Sequence, residues 1–168
     1  MGIESLNASG NTTTAMSSDP VRFFGKYFLK VAASTNQVTL PKQLKKAAEK
    51  GGEVHLVLFG YKKEKFWRMM TEKAFLQLVE DTANDTSRSN AKTAAGKLAS
   101  MAQSVDLDTQ NRFSLPKEFT EKLVETNEIV FEAMNTMVRL WPKPDFEEAS
   151  RQEELDCEAA IEAALKRA

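Results

Sequence analysis

Short runs of aromatic and β-branched residues, separated by polar turn residues, dominate the first half of this chain. Such runs predict strands, which we place at 22–40 (two strands around a turn at 34–36), at 54–59 and at 66–70. Helices are predicted between them, at 42–50 and 72–80. Proline favours the first turn of a helix, glycine its end and threonine its N-cap, and Pro41, Gly51-Gly52 and Thr71 occupy those places.

The same order of elements is predicted again in the second half. We expect strands at 105–107 and 112–115, a Pro-led helix at 116–125, and a hairpin at 128–133 and 137–141. Between the halves, polar residues 81–90 form a linker and residues 91–101 a short helix. After Pro142 and Pro144 the chain is rich in Ala, Glu and Leu and contains neither Gly nor Pro, so a helix is predicted over 145–168.

Sequence matches at a fixed offset indicate that the two halves are copies of one unit. Leu40-Pro41-Lys42 recurs as Leu115-Pro116-Lys117, an offset of 75 residues. At this offset Val38 also matches Phe113, and after the hairpin an offset of 71 matches Arg68 with Arg139. A unit of about 45 residues buries little apolar surface alone, so we expect the two units to close on each other and hide their sheet edges.

These patterns divide the chain into five segments, and charge differs between them. The segments are a disordered tail (1–20), a first unit (21–81), a linker with a short helix (82–104), a second unit (105–144) and an acidic C-terminal helix (145–168). Residues 21–104 carry 15 basic and seven acidic side chains, whereas 145–168 carry three basic and eight acidic ones. This asymmetry is compatible with a polyanion partner and equally with an unevenly charged, solvated surface.

Three stretches carry recognisable motifs: Phe23-Phe24-Gly25-Lys26-Tyr27, the run from Asp108 to Pro116, and Arg139-Leu140-Trp141. Together they resemble the motifs of MraZ, a family of bacterial transcription regulators. Phe23-Phe24-Gly25-Lys26-Tyr27 is similar to the family's opening aromatic-x-Gly-x-aromatic pattern, and Arg139-Leu140-Trp141 to its closing Ile-Trp strand. The run from Asp108 to Pro116 resembles the family signature, Asp-x-x-Gly-Arg followed by an apolar strand and Pro. The resemblance covers residues 22–148. It implies an α+β fold in which two tandem AbrB-like swapped-hairpin β-barrel units form one pseudo-dimeric domain, with connecting and C-terminal helices.

The two signature turns differ in charge. The first signature turn, residues 33–37, has Ala33 and Gln37 where the family pattern has Asp and Arg. The second signature turn, residues 108–112, keeps Asp108 and Arg112 and replaces Gly by Asn111. Asparagine tolerates a positive φ, so a tight turn is expected in both copies. The Asp108–Arg112 pair can clamp its turn, hold an exposed guanidinium for phosphate contact, or do both.

The resemblance implies contact with double-stranded DNA through the signature turns and nearby basic residues. Lys and Arg neutralise phosphates, while side chains that reach base edges give sequence preference. We expect Arg112 to be the main contact. The other candidates are Asp108, Asn111, Lys117, Asn36, Gln37, Lys42, Lys45, Lys46, Arg22, Lys26 and Lys30. The resemblance also implies a homo-oligomer, with a ring as the family's form, in the cytoplasm and associated with the nucleoid.

Familiar catalytic and cofactor motifs are missing from the sequence. His55 is the only histidine and Cys157 the only cysteine, so no Cys/His cluster suits zinc, and no Gly-rich phosphate loop is present. No apolar run approaches the roughly 20 residues of a membrane span. We therefore expect neither an enzyme nor a cofactor, metal, small-molecule substrate or membrane partner.

Two alternatives to a DNA-binding regulator stay open. The uncharged first signature turn favours an oligomeric scaffold in which DNA binding is lost or weakened. The C-terminal helix favours an antitoxin-like protein that holds a partner protein through residues 145–168.

Overall fold

The computed structural model describes residues 19–123 and 126–168. The disorder predicted for residues 1–20 therefore lies, apart from its last two residues, outside the described part of the chain. The elements in chain order are β1 Lys26–Lys30, β2 Gln37–Thr39, α1 Lys42–Lys50, β3 Leu56–Gly60, β4 Trp67–Thr71, α2 Glu72–Ala83, α3 Ala91–Met101, β5 Gln103–Ser104, β6 Arg112–Ser114, α4 Lys117–Thr120, β7 Glu128–Met134, β8 Met137–Pro142 and α5 Lys143–Leu165.

Local signals set the helix ends as predicted. Pro41 is the N-cap residue of α1, and Gly51 and Gly52 end the helix, with Gly52 at φ +75°. Thr71 caps α2, because its hydroxyl accepts a hydrogen bond from the amide of Ala74 at 3.1 Å. The predicted helices at 42–50 and 91–101 have the predicted bounds.

The strands form a mixed α+β fold with an antiparallel six-stranded sheet in the order β1-β7-β8-β4-β3-β5 and a separate two-stranded ribbon, β2-β6. Both halves of the chain contribute to both sheets. The first strand of each half pairs with the other half, since β1 lies beside β7 and β5 beside β3. The ribbon likewise takes one strand from each half.

The prediction of β-barrel units is wrong for the described residues, because the six-stranded sheet has two open edges, β1 and β5, and does not close into a barrel. The chain reverses in the first signature turn immediately after β1. A single bridge, Ala32 with Gln37, then joins that end of β1 to β2. The ribbon packs on one face of the sheet, because Val38 and Phe113 belong to the same buried cluster as Leu58 and Phe131 of the sheet.

Two pairs of facing residues are also pairs matched by the sequence offsets. In the ribbon, Val38 lies opposite Phe113, and between β4 and β8, Arg68 lies opposite Arg139. Where the two halves meet in antiparallel pairs, each of these residues therefore faces its own counterpart in the other half.

The main core lies between the sheet and the ribbon and packs residues from both halves. Phe23, Phe119 and Phe131 are almost completely buried, and Phe119 meets Trp67 edge to face with ring centroids 6.0 Å apart. Burial of side chains of this size contributes about 1.5–3 kcal/mol each. Because strand side chains alternate between faces, the opposite face of the sheet carries a second apolar surface, which α2, α3 and α5 cover.

Three elements of the second half differ from their predicted bounds. A strand was predicted at 105–107, but β5 is Gln103–Ser104. The helix predicted at 116–125 is helical only over Lys117–Thr120, and residues 124 and 125 are outside the described chain. The C-terminal helix begins at Lys143, with Pro144 in its first turn, where a missing amide proton costs nothing.

Candidate nucleic-acid interface

The β2-β6 ribbon has one apolar and one polar face. Val38 and Phe113 at its centre are each 2% exposed and point into the core. Because side chains alternate along a strand, the flanking positions point outward. These positions are all polar: Gln37, Thr39, Arg112 and Ser114.

The second signature turn is held by the carboxylate of Asp108. One oxygen, Oδ1, accepts from the amides of Gln110 (2.8 Å) and Arg112 (2.9 Å), and Oδ2 accepts from Nε of Arg112 at 2.9 Å. The backbone amide of Arg112 is the main cause of a lowered pKa for Asp108, and the Gln110 amide and the Arg112 side chain lower that pKa further. The carboxylate therefore fixes the turn and the start of the Arg112 side chain.

The guanidinium of Arg112 remains available at the surface. Its side chain is 43% exposed, and only Nε is engaged by a described residue. An arginine anchored through Nε presents its two terminal nitrogens to a partner, in the planar geometry that suits phosphate oxygens or a guanine edge.

The first signature turn keeps the same backbone form without a charged clamp. Asn36 has φ 55° and Asn111 has φ 61°, so both are left-handed, as the two signatures predicted. In the first signature turn the amides of Thr35 and Asn36 donate to the carbonyl of Ala32 at 3.2 and 2.7 Å. Backbone bonds alone thus close this turn.

The two signature turns are tied to each other through the ribbon. The amide of Leu40 donates to the carbonyl of Asn111 at 2.8 Å, and the amide of Leu115 donates to the carbonyl of Asn36 at 2.9 Å. Each turn is therefore braced by the strand end of the other half. In addition, Nζ of Lys45 on α1 donates to Oδ1 of Asn111 at 2.5 Å, so a lysine of the first half contacts the second signature turn.

The structure brings together some of the predicted DNA contacts and separates others. Asn36, Gln37, Lys45, Asp108, Asn111 and Arg112 lie at the ribbon and its turns, and Lys42, Lys46 and Lys117 are exposed on the adjoining helices. Lys26 instead belongs to the opposite face of the sheet, where its Nζ lies 5.9 Å from the ring centroid of Phe146. Lys30 follows it by four residues in the same strand and shares that face. Arg22 donates to Oδ1 of Asn135 at 3.0 Å, in the β7-β8 hairpin.

Two outward residues of the ribbon were not predicted as contacts. Thr39 and Ser114 are exposed and lie across from Arg112 and Gln37. The alternation Gln37-Val38-Thr39 and Arg112-Phe113-Ser114 is the signal that could have identified them, because a buried central residue implies outward neighbours on both sides.

Other kinds of site are not indicated. Within residues 19–123 and 126–168, no three His, Cys, Asp or Glu side chains are grouped so that they could hold a metal ion. No helix in these same ranges combines the length and the apolar character needed to cross a bilayer.

Fold and site together define an α+β protein in which two halves share one antiparallel sheet and present a polar ribbon between two braced turns. A comparison with protein-family models agrees with this class: the model described as "MraZ protein, putative antitoxin-like" matches residues 98–168. The match spans 71 of the 168 residues, so it shows that the C-terminal part of the chain is similar to this family. The matched segment contains β5 to β8, α4 and α5, and hence the second signature turn. A comparison with curated proteins gave no match.

Proposed function

We propose that this protein is a sequence-specific, double-stranded DNA-binding transcriptional regulator of the cytoplasm and nucleoid, and that it is not an enzyme. The observation that carries the proposal is the guanidinium of Arg112, fixed by Asp108 at the surface of a ribbon with polar outward side chains. The similarity of residues 98–168 to the MraZ family supports the regulatory role.

The shape of the ribbon suits the major groove of DNA. That groove is about 12 Å wide and admits a two-stranded β-ribbon. Gln37, Thr39 and Ser114 offer hydrogen-bond donors and acceptors to base edges, and Arg112 can pair with guanine or with a phosphate. Lysines of the adjoining helices, Lys42, Lys46 and Lys117, would neutralise phosphates beside the groove.

We further propose that the two halves are tandem swapped-hairpin units related by an approximate two-fold axis. The pairing of β1 with β7 supports this, as do the facing pairs Val38–Phe113 and Arg68–Arg139. In such an arrangement neither half has a complete sheet alone. The units, with the boundaries 21–81 and 105–144, therefore form a single folding domain.

One ribbon supplies few cationic contacts, so we propose that several copies act together as a homo-oligomer. Residues 151–165 of α5 are exposed along their whole length and include Leu155, Ile161 and Leu165. An apolar stripe left open on a helix favours association. Light scattering of the purified chain measures the oligomer directly, and a monomeric mass would contradict this part of the proposal.

The test of DNA binding is a salt series with Arg112→Ala. Loss of one phosphate contact should reduce the slope of log affinity against log salt by about 0.9 and weaken binding at low salt. The thermal midpoint should fall by no more than about 4 °C, because an exposed ion pair contributes about 0–1 kcal/mol. Anisotropy with a mixed-sequence duplex measures the first quantity and circular dichroism the second.

Arg88→Ala is the matched control for that experiment. Arg88 also pairs with an aspartate, Asp85, at 3.6 Å, and its side chain is 74% exposed, but it lies in the linker. Its removal should leave the salt slope unchanged. Equal slopes for Arg112→Ala and the parent protein would exclude Arg112 from the interface, and absence of any binding at low salt would refute DNA binding itself.

A partner-holding function is the second candidate. The exposed half of α5 favours it, and the matched family is described as antitoxin-like. This function predicts that the parent protein binds no duplex at low salt. It also predicts that a defined partner protein binds the chain only when residues 145–168 are intact.

A further inference from the structure

Most of the basic side chains near the ribbon lie at one of its two ends. Each Pro-led helix lies beside the signature turn of the other half: Lys45 of α1 contacts Asn111, and Thr120 of α4 lines one cleft together with Asn36. The strand exchange thus places the charges of α1 next to those of the second signature turn. Arg112 and Lys45, which come from different halves, both contact that turn.

The opposite end has no equivalent of this arrangement at the matched positions. At the offset of 75 residues, Arg112 corresponds to Gln37, Asp108 to Ala33 and Lys45 to Thr120. Of the four lysines of α1, only Lys42 has a basic match, Lys117. Lys46 corresponds to Glu121 and Lys50 to Glu125.

Neighbouring lysines do not restore the balance. Lys30 lies just before the first signature turn, but it shares the face of Lys26 and Phe28, on the side of the sheet that α5 covers. Lys122 is directed elsewhere, since its Nζ donates to the carbonyl of Glu64 at 3.3 Å.

We propose that the second signature turn and α1 form a composite phosphate-binding site, with Arg112 and Lys45 as its paired cations, and that the ribbon's other end has no such site. This proposal rests on the proposed DNA binding. Its ligand is the phosphate backbone of duplex DNA next to the ribbon. Lys45 reaches the site through Asn111, whose side-chain oxygen holds the ammonium at the turn. The paired cations then hold a duplex at this end, while the other end offers Lys117 without a second cation at the matched positions.

Charge reversal at matched positions tests the proposal. Lys45→Glu and Thr120→Glu create the same side chain at equivalent places beside the two turns. Like charge against a phosphate is strongly unfavourable, so Lys45→Glu should weaken binding of a mixed-sequence duplex by about tenfold or more at low salt. Thr120→Glu should weaken it by no more than about threefold, since its charge lies away from the bound phosphates and is screened.

A neutral substitution and a stability measurement complete the design. Lys45→Gln keeps a donor for Asn111 and should reduce the salt slope by about 0.9, as expected for one phosphate contact. Circular dichroism melts of all variants establish that each is folded at the assay temperature. An unfolded Lys45→Glu variant would leave Lys45→Gln to decide.

The outcomes separate this inference from the proposed function. Suppose that the parent protein binds the duplex. The one-ended site would then be overturned if the two Glu variants lost affinity equally, or if Lys45→Gln left the salt slope unchanged, and the proposal of DNA binding would still stand. Failure of the parent protein to bind duplex at low salt would overturn both.

Discussion

Arg139 is predicted to be the charged residue whose loss destabilises the fold most. It lies on β8 directly opposite Glu132 of β7, and its side chain is only 8% exposed. Its Nε donates to Glu132 Oε1 at 2.9 Å, and its terminal nitrogens donate to both oxygens of Glu153 on α5 at 3.1 and 2.8 Å. Burial opposes the charge of Arg139, but the hydrogen bonds that it donates to Glu153 and Glu132 outweigh this effect, so the pKa of Arg139 is raised. The rings of Phe66 and Trp141 lie 5.1 Å from the guanidinium carbon.

The cost of Arg139→Ala follows from what it leaves behind. Glu132 is 14% exposed and would lose the cation that it pairs with. Among the described residues, its remaining side-chain donor is Nε1 of Trp141 at 3.1 Å. Removal of one member of a buried pair costs about 3–5 kcal/mol. For a chain of this size each kcal/mol lowers the thermal midpoint by about 2–4 °C, so the fall should be about 6–20 °C.

Two further variants show whether the buried charge is the cause. Glu153 is 47% exposed, so Glu153→Ala should cost no more than about 1 kcal/mol after solvent screening. The double variant Glu132→Leu/Arg139→Met removes both buried charges and should be much more stable than Arg139→Ala. Urea and thermal unfolding followed by tryptophan fluorescence measure all three. The reasoning would be refuted if Arg139→Ala cost no more than Glu153→Ala.

Two other predictions concern packing and pH. Gly60→Ala should lower the free energy of unfolding by about 1–3 kcal/mol, because a Cβ there would lie 2.2 Å from the buried ring of Trp67. Gly96 lies in a helix with open space around it, so Gly96→Ala should raise that free energy by about 0.5–1 kcal/mol. Urea unfolding measures both changes. The lowered pKa of Asp108 means that its contribution to stability is present above its ordinary pKa of 3.8 and is lost as pH falls through the lower folded value. The difference in thermal midpoint between the parent protein and Asp108→Asn should therefore shrink below about pH 4, and a constant difference would contradict the assignment.

Local signals in the sequence predicted the helices well because each signal acts within a few residues. Proline fixes φ and lacks an amide proton, so Pro41 and Pro116 can only begin their helices. Glycine reaches positive φ without strain, so Gly52 ends α1. Such constraints need no knowledge of the rest of the chain.

The partners of the strands could not be predicted in the same way. A repeated pattern shows that two halves are alike, but it does not show whether β1 pairs within its own half or with β7. The contact between Lys45 and Asn111 joins residues 66 positions apart and depends on that exchange. The sequence therefore predicted which residues belong to the candidate site. It could not predict that Lys45 and the second signature turn lie together, because that contact depends on the tertiary structure.

The first signature turn keeps its form without Asp and Arg because backbone hydrogen bonds, and not charged side chains, hold it. Asn36 adopts the left-handed conformation, and its carbonyl accepts from Leu115, so the bonds that brace this turn involve no charged side chain. In the second signature turn the same backbone bond, from Leu40 to Asn111, is present, and Asp108 adds a clamp that also orients Arg112. The backbone bonds are thus common to both turns, whereas the second signature turn alone is also held by the Asp108 carboxylate. The proposed DNA contact would use this difference, since the clamp that holds the second signature turn also fixes the start of the Arg112 side chain at the ribbon's surface.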